Sequence, residues 1–242
     1  MTTKVKETTK ERRAEQKYNL FKGIYREQMP QLISQGYQPL TIEGIMKRRV
    51  QAIKTNEEKD FWLNNYFDTP DGIAYSPNGN ILVVRNSDLL RAINQDTRLT
   101  KTGALPLDQE QYEELTRSNQ GFTRKELEKA GINKWLKPDQ VKIHPLLQAL
   151  SNNQELLDEY TELISREAKE QFNYDEIMGA YVGAYVGDIP KDYNLRAVFL
   201  GWLDVRSDAY GGDGLGGDAR LVGVSEKKSA EGTLAGKRQI FL

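Results

Sequence analysis

Apolar residues at steps of three and four run through the first half of the chain. Over residues 17–34, Tyr18, Phe21, Tyr25, Met29 and Leu32 keep that spacing, which predicts a helix face that Pro30 kinks or ends. After a turn at residues 36–39, Thr41 can cap a second helix with Ile42, Ile45, Met46, Val50 and Ile53 as its apolar stripe. Lys47, Arg48 and Lys54 lie off that stripe. The aromatic run at residues 61–67 is followed by the turn formers TPDG and SPNGN. Strand-forming runs at residues 72–75 and 81–85, with Asn78–Gly79 between them, predict a small β-hairpin. Capping patterns at Asp108 and Gln111, Thr123 and Glu126, and Ser151 and Gln154 open three more helices. The last carries Leu156, Leu157, Tyr160, Leu163, Ile164 and Phe172 on one side and carboxylates on the other.

Past Phe172 the pattern changes to glycine and tyrosine. In the repeat GAYVGAYVG, three glycines would cost a helix about 1 kcal/mol each, whereas a strand places Tyr and Val well and lets tyrosines cover their glycine neighbours. Residues 195–206 read as a long strand, residues 220–224 as its partner across a glycine-rich loop, and residues 239–242 as an edge strand. The expected class is therefore α+β, with N-terminal and central helices and a small hairpin followed by a C-terminal antiparallel β-meander. The organisation that goes with it is a flexible basic tail over 1–15, a mostly helical region over 16–172 with the hairpin near 72–85, and a β-rich region over 173–242, in the same domain or a second one.

Composition narrows the chemistry. The 242 residues suffice for one larger domain or two small ones, and the lack of cysteine removes disulfides, thiolate metal sites and cysteine nucleophiles. The charged opening MTTKVKETTKERRAEQK does not read as a secretory leader, and no apolar run reaches the roughly 18 residues of a spanning helix. A cytoplasmic protein without a membrane partner is expected. Overall charge is near zero but unevenly spread: residues 1–54 hold 12 Lys/Arg against 5 Asp/Glu, and residues 151–218 hold 5 against 14. Arg12, Arg13, Lys47, Arg48, Arg49 and Lys54 are thus the expected partner-binding residues, for an acidic protein or nucleic acid, unless they dock on the chain's own acidic half.

The glycine-rich loop YGGDGLGGD at residues 210–218 lacks the lysine and hydroxyl of a P-loop, the strand-to-helix setting of a dinucleotide fingerprint and the aspartate spacing of the calcium nonapeptide. Strand alternation would set Asp204, Arg206 and Asp208 on one face, about 7 Å between neighbours. With Asp213 and Asp218 those carboxylates could hold Mg²⁺ or Ca²⁺ and activate water or polarise a substrate oxygen. His144, the single histidine, has no nucleophile-elbow serine near it, and Pro138 interrupts a helix-turn-helix reading of residues 122–150. Tyr181, Tyr185 and Trp202 could stack unpaired bases, but the surrounding carboxylates oppose phosphate. The leading expectation is a non-catalytic intracellular binding or regulatory protein acting through its basic N-terminal helices. The alternative is a divalent-metal-dependent enzyme, and a third reading is self-association through the glycine–tyrosine strand.

Overall fold

The computed structural model describes residues 18–182, 192–212 and 214–225. The chain begins in a strand: β1 (Tyr18–Ile24) leads into α1 (Tyr25–Ser34), β2 (Tyr37–Pro39), α2 (Ile42–Thr55) and α3 (Lys59–Leu63). A hairpin of β3 (Phe67–Tyr75) and β4 (Asn80–Val84) comes next, then α4 (Asp88–Arg91), β5 (Leu105–Pro106) and α5 (Gln109–Thr116). The middle comprises β6 (Gln120–Thr123), α6 (Arg124–Ala130), β7 (Trp135–Leu136), α7 (Pro138–Ile143), α8 (Pro145–Ser151) and α9 (Gln154–Phe172). The end is β8 (Ile177–Tyr181), β9 (Asn194–Leu200), a single 3₁₀ turn (Leu203–Val205), β10 (Ala209–Tyr210) and β11 (Asp218–Ser225).

These strands form one mixed sheet in which β1, β11, β3, β9, β10, β8 and β7 lie side by side. Helices first and a meander last is therefore not the layout. The first described strand pairs along its whole length with the last, from Tyr18 opposite Val224 to Ile24 opposite Asp218, and β3, from the first third of the chain, lies between β11 and β9. The single helix expected over residues 17–34 divides at Gly23, whose φ of 141° is closed to other residues. Upstream of it the apolar positions serve a strand. Downstream, α1 starts with its Tyr25 and Arg26 N–H groups donating to the carbonyls of Gly217 and Leu215, and it runs on past Pro30 because Met29 and Leu32 are wholly buried.

The sheet separates two cores, and strand alternation assigns side chains between them. Ile73, Tyr75, Ile81, Val83, Val198, Leu200 and Val222 join the core beneath α2, α8 and α9. Their neighbours Ala74, Leu82, Val84, Leu195, Ala197, Ala219 and Leu221 join the core beneath α1, α4 and α5. TPDG is no turn: it lies inside β3, buried at every position. It is a bulge, where the β3–β9 register shifts between Asp68 and Gly72, and a bulge is where a sheet accommodates proline. Asp71, buried in that bulge, accepts from the N–H groups of Ile42 at 2.6 Å and Asn86 at 2.8 Å, so it ties the start of α2 to the end of β4.

Arg49 is the largest side chain completely removed from solvent. Its guanidinium donates to the Trp62 carbonyl (2.9 Å), the Asn65 carbonyl (2.9 Å), the Tyr160 hydroxyl (3.0 Å) and the Ser207 hydroxyl (3.3 Å). One cation thus joins α2, the connection from α3 to β3, α9 and the turn before β10. Replacing it leaves three buried oxygens and one part-buried carbonyl without this donor, so Arg49→Met should cost about 3–5 kcal/mol in urea unfolding. Lys47→Ala, which breaks an exposed pair with Glu43, should cost less than about 1 kcal/mol in the same measurement.

Candidate functional site

β9 ends at Leu200 because Gly201 begins a tight return. A methyl group there would overlap the Asp208 carboxylate, and the Gly201 N–H donates to the Asp208 carbonyl at 2.8 Å. Within the return, Arg206 and Ser207 both take left-handed backbone angles (φ 62° and 53°), and the Ser207 N–H donates to the Trp202 carbonyl. β10 then pairs antiparallel with β9 and parallel with β8, setting Tyr210 opposite both Phe199 and Tyr181.

That register builds a strip of rings across five neighbouring strands, roughly 20 Å at the usual strand spacing. Tyr66, one residue before β3, lies 5.8 Å from Phe199 and 5.6 Å from Trp202. Phe199 lies 5.3 Å from Tyr210, which is 6.1 Å from Tyr181, and Tyr181 meets Trp135 of β7 edge-on at 5.2 Å. All six rings are half-buried and belong to neither core. The helices on this side of the sheet stop short of them, since α1, α4 and α5 pack on β11, β3 and β4. Two arginines cap the strip, Arg220 over Tyr66 at 4.8 Å and Arg206 over Trp135 at 4.9 Å and Tyr174 at 4.2 Å. Burial, with the Asp208 charge acting in the same direction, pushes the Tyr181 hydroxyl pKa up, so that ring stays neutral.

Apart from Arg206, which caps the strip, the described residues expected from sequence are placed elsewhere, with two exceptions. Arg12, Arg13, Tyr185, Asp213 and residues 239–242 lie outside the described residues. Arg49, expected at a binding surface, is inside the protein with each of its three guanidinium nitrogens hydrogen-bonded. Lys47 pairs with Glu43 and Lys54 with Glu159 of α9, both at the surface, and Arg48 donates to Gln51. Asp204, Arg206 and Asp208 do not share a strand face, because β9 ends before them: Asp204 is exposed on the 3₁₀ turn and Asp208 is buried at the base of the return. Asp218 lies opposite Ile24 on β11, three strands from β10 and so about 14 Å away laterally, too far to share an ion. Among the described residues, no group of three or more His, Asp or Glu side chains converges. The glycine-rich loop packs against residues 100–104, with the Leu215 N–H donating to the Gly103 carbonyl at 2.8 Å. The exceptions are Tyr181 and Trp202, two of the three residues read as a platform, which stand in the strip. The rings between them come from distant segments, and nothing local in the sequence marks them as neighbours.

No protein-family model and no curated protein matches the chain. It is similar to a solved structure described as "Accommodation of massive sequence variation in Nanoarchaeota by the C-type lectin fold", with a TM-score of 0.65 and 18% identity, over 86% of this chain and 98% of that one. The chain has a C-type lectin fold. At this identity the likeness concerns architecture alone, and it replaces the expected helical region and meander. On this C-type lectin framework the aromatic strip occupies the part of the sheet built by β7 to β10.

Two buried groups outside the strip titrate against each other. His144, between α7 and α8, is 1% exposed with neither ring nitrogen hydrogen-bonded, and burial lowers its pKa to about 4. Burial raises the Asp71 pKa to about 6 against the two N–H groups it accepts. Between about pH 6.5 and 4 the unfolded chain protonates His144 and the folded one does not, so stability falls with acid at up to about 1.4 kcal/mol per pH unit. Asp71 works the other way: from about pH 6 down to 4 the folded chain takes its proton first, and stability rises. His144→Met should therefore gain about 3 kcal/mol relative to the wild type between pH 7 and pH 4 in urea unfolding. A pH-independent difference would place the histidine in water.

Proposed function

We propose that the protein is a non-catalytic binding protein that engages another protein through the strip of Tyr66, Trp202, Phe199, Tyr210, Tyr181 and Trp135. The observation that carries this reading is six half-buried rings that belong to neither core and form a continuous surface. Tyr, Trp and Arg are the residues that dominate the energetics of protein interfaces, because they bring large contact area with few rotatable bonds. Here strand register holds four of them, Phe199, Tyr210, Tyr181 and Trp135, in place before any partner arrives, which lowers the entropy lost on binding. The basic helix α2 is less suited to this role, since Arg49 holds the core together and Lys47 and Lys54 meet carboxylates of the same chain. The words used of the similar structure, accommodation of massive sequence variation by the C-type lectin fold, support the further reading that this framework tolerates change, and the strip is where we place that tolerance.

A photoreactive phenylalanine at position 202 should cross-link a specific protein in the cells that make this chain, while the same group at exposed position 113 on α5 should not. The purified partner should bind the wild type and lose about tenfold or more in affinity to Tyr210→Ala, which corresponds to about 1.4 kcal/mol. Equal cross-links from both positions, or a partner indifferent to Tyr210→Ala, would overturn the reading, and a cross-link to a second copy would replace the partner with self-association. Tolerance has its own measurement. Trp202→Ser and Tyr210→Ser should each cost no more than about 2 kcal/mol in unfolding, because each ring is already part-exposed.

A further inference from the structure

The strip ends in an arginine whose surroundings are unlike those of the other arginines near it. Arg49 and Arg196 are buried and hydrogen-bonded, Arg196 to the carbonyls of Thr102 and Gly212, and Arg220 donates to Asn65 Oδ1. The Arg206 guanidinium lies over two rings and, among the described residues, has no hydrogen bond or ion pair. Its Nε is shielded from water without an acceptor.

Both rings over which it lies are themselves held in place. Tyr174 stacks on Phe172 at 5.4 Å and donates its hydroxyl to the Asp204 carbonyl at 3.1 Å. Trp135 is held by its edge contact with Tyr181, and the Arg206 backbone is fixed by its own N–H donating to the Leu203 carbonyl and by its carbonyl accepting from Met178 N–H. A guanidinium lying over aromatic rings can still present parallel N–H groups in its plane, the geometry that a carboxylate accepts in bidentate fashion.

Resting on the binding role of the strip, we propose that Arg206 receives a carboxylate of the partner, so that this face recognises an acidic side chain set beside apolar contacts. Charge selects a single carboxylate over a polyanion. Asp204 and Glu176 are exposed close by, and Asp175, though paired with Lys169, adds to the same field. A nucleic-acid backbone would bring repeated phosphates against these carboxylates, while one carboxylate in line with the guanidinium meets its cation at contact distance.

The probe is a random peptide library displayed on phage, panned on the intact protein and screened for peptides whose binding is lost with Trp202→Ala. Those peptides should be enriched in Asp or Glu. A synthetic peptide from the set should lose about tenfold or more with Arg206→Asn, a replacement that tolerates the left-handed backbone, and its Asp→Asn version should show no further loss against that variant. Unchanged thermal unfolding of Arg206→Asn separates lost recognition from a lost turn. Peptides that depend on Trp202 but carry no acid, or that bind Arg206→Asn as well as wild type, would overturn the role of Arg206 and leave the binding face standing. Failure to recover any Trp202-dependent peptide would overturn both. Arg206-dependent binding of a single-stranded oligonucleotide would replace the carboxylate with phosphate.

Discussion

A guanidinium stripped of water and surrounded by neutral oxygens is the constraint from which the rest of this structure follows. A buried cation is tolerated only while its donors stay matched, so Arg49 holds four segments at fixed positions or destabilises the whole. One of these is the return after β9. Ser207, which meets Arg49 from inside, directly follows Arg206, and its N–H holds the Trp202 carbonyl. The core cation and the surface residues Trp202 and Arg206 are thus linked within a few bonds. The outward aim of the return is set by what its inward hydroxyl grips.

The sheet adds the second restraint. β1 and β11 pair over seven residues, and β3 runs through the middle with its Pro70 bulge. Because Asp71 in that bulge holds the N–H groups of Ile42 and Asn86, the bulge sets where α2 begins, and α2 sets where Arg49 reaches. A kink in one strand is therefore coupled to the turn that ends the neighbouring strand beside it. The carboxylate does this at an electrostatic cost, visible as its raised pKa, and the charge persists near neutrality because two backbone donors remain aimed at it.

Much of the local structure was legible because its causes are local. Thr41, Asp108 and Thr123 each accept a hydrogen bond from the backbone three residues on, Asn78–Gly79 turns β3 into β4, and the Tyr181 ring covers Gly179 on the same strand face. α9 starts later than expected, with Asn153 rather than Ser151 capping its first turn and Ser151 ending the helix before it. What failed depended on partners far along the chain. Residues 18–24 have helical spacing but meet β11, and that ladder decides their state. TPDG carries turn residues yet fills a bulge whose walls are β4 and β9. Arg49 stands three residues after Met46, four after Ile45 and seven after Ile42, so the stripe itself placed it inside; its charge argued for the surface and concealed that. The strip was half visible, as Tyr181 and Trp202, since its other members become neighbours only through the order β3–β9–β10–β8–β7.

That division by cause also separates folding from recognition along each strand. In β9, Val198 and Leu200 point into one core, while Phe199 between them points to the open face; in β10, Ala209 is buried and Tyr210 is not. Register is fixed by the inward residues, because a slip of one would bring Phe199 into the core and Val198 out of it. The outward residues inherit their positions without having to secure them. A face assembled this way keeps its spacing when its side chains change, and a helix such as α2 cannot offer the same, since its exposed lysines share a turn with the one arginine that the core cannot release.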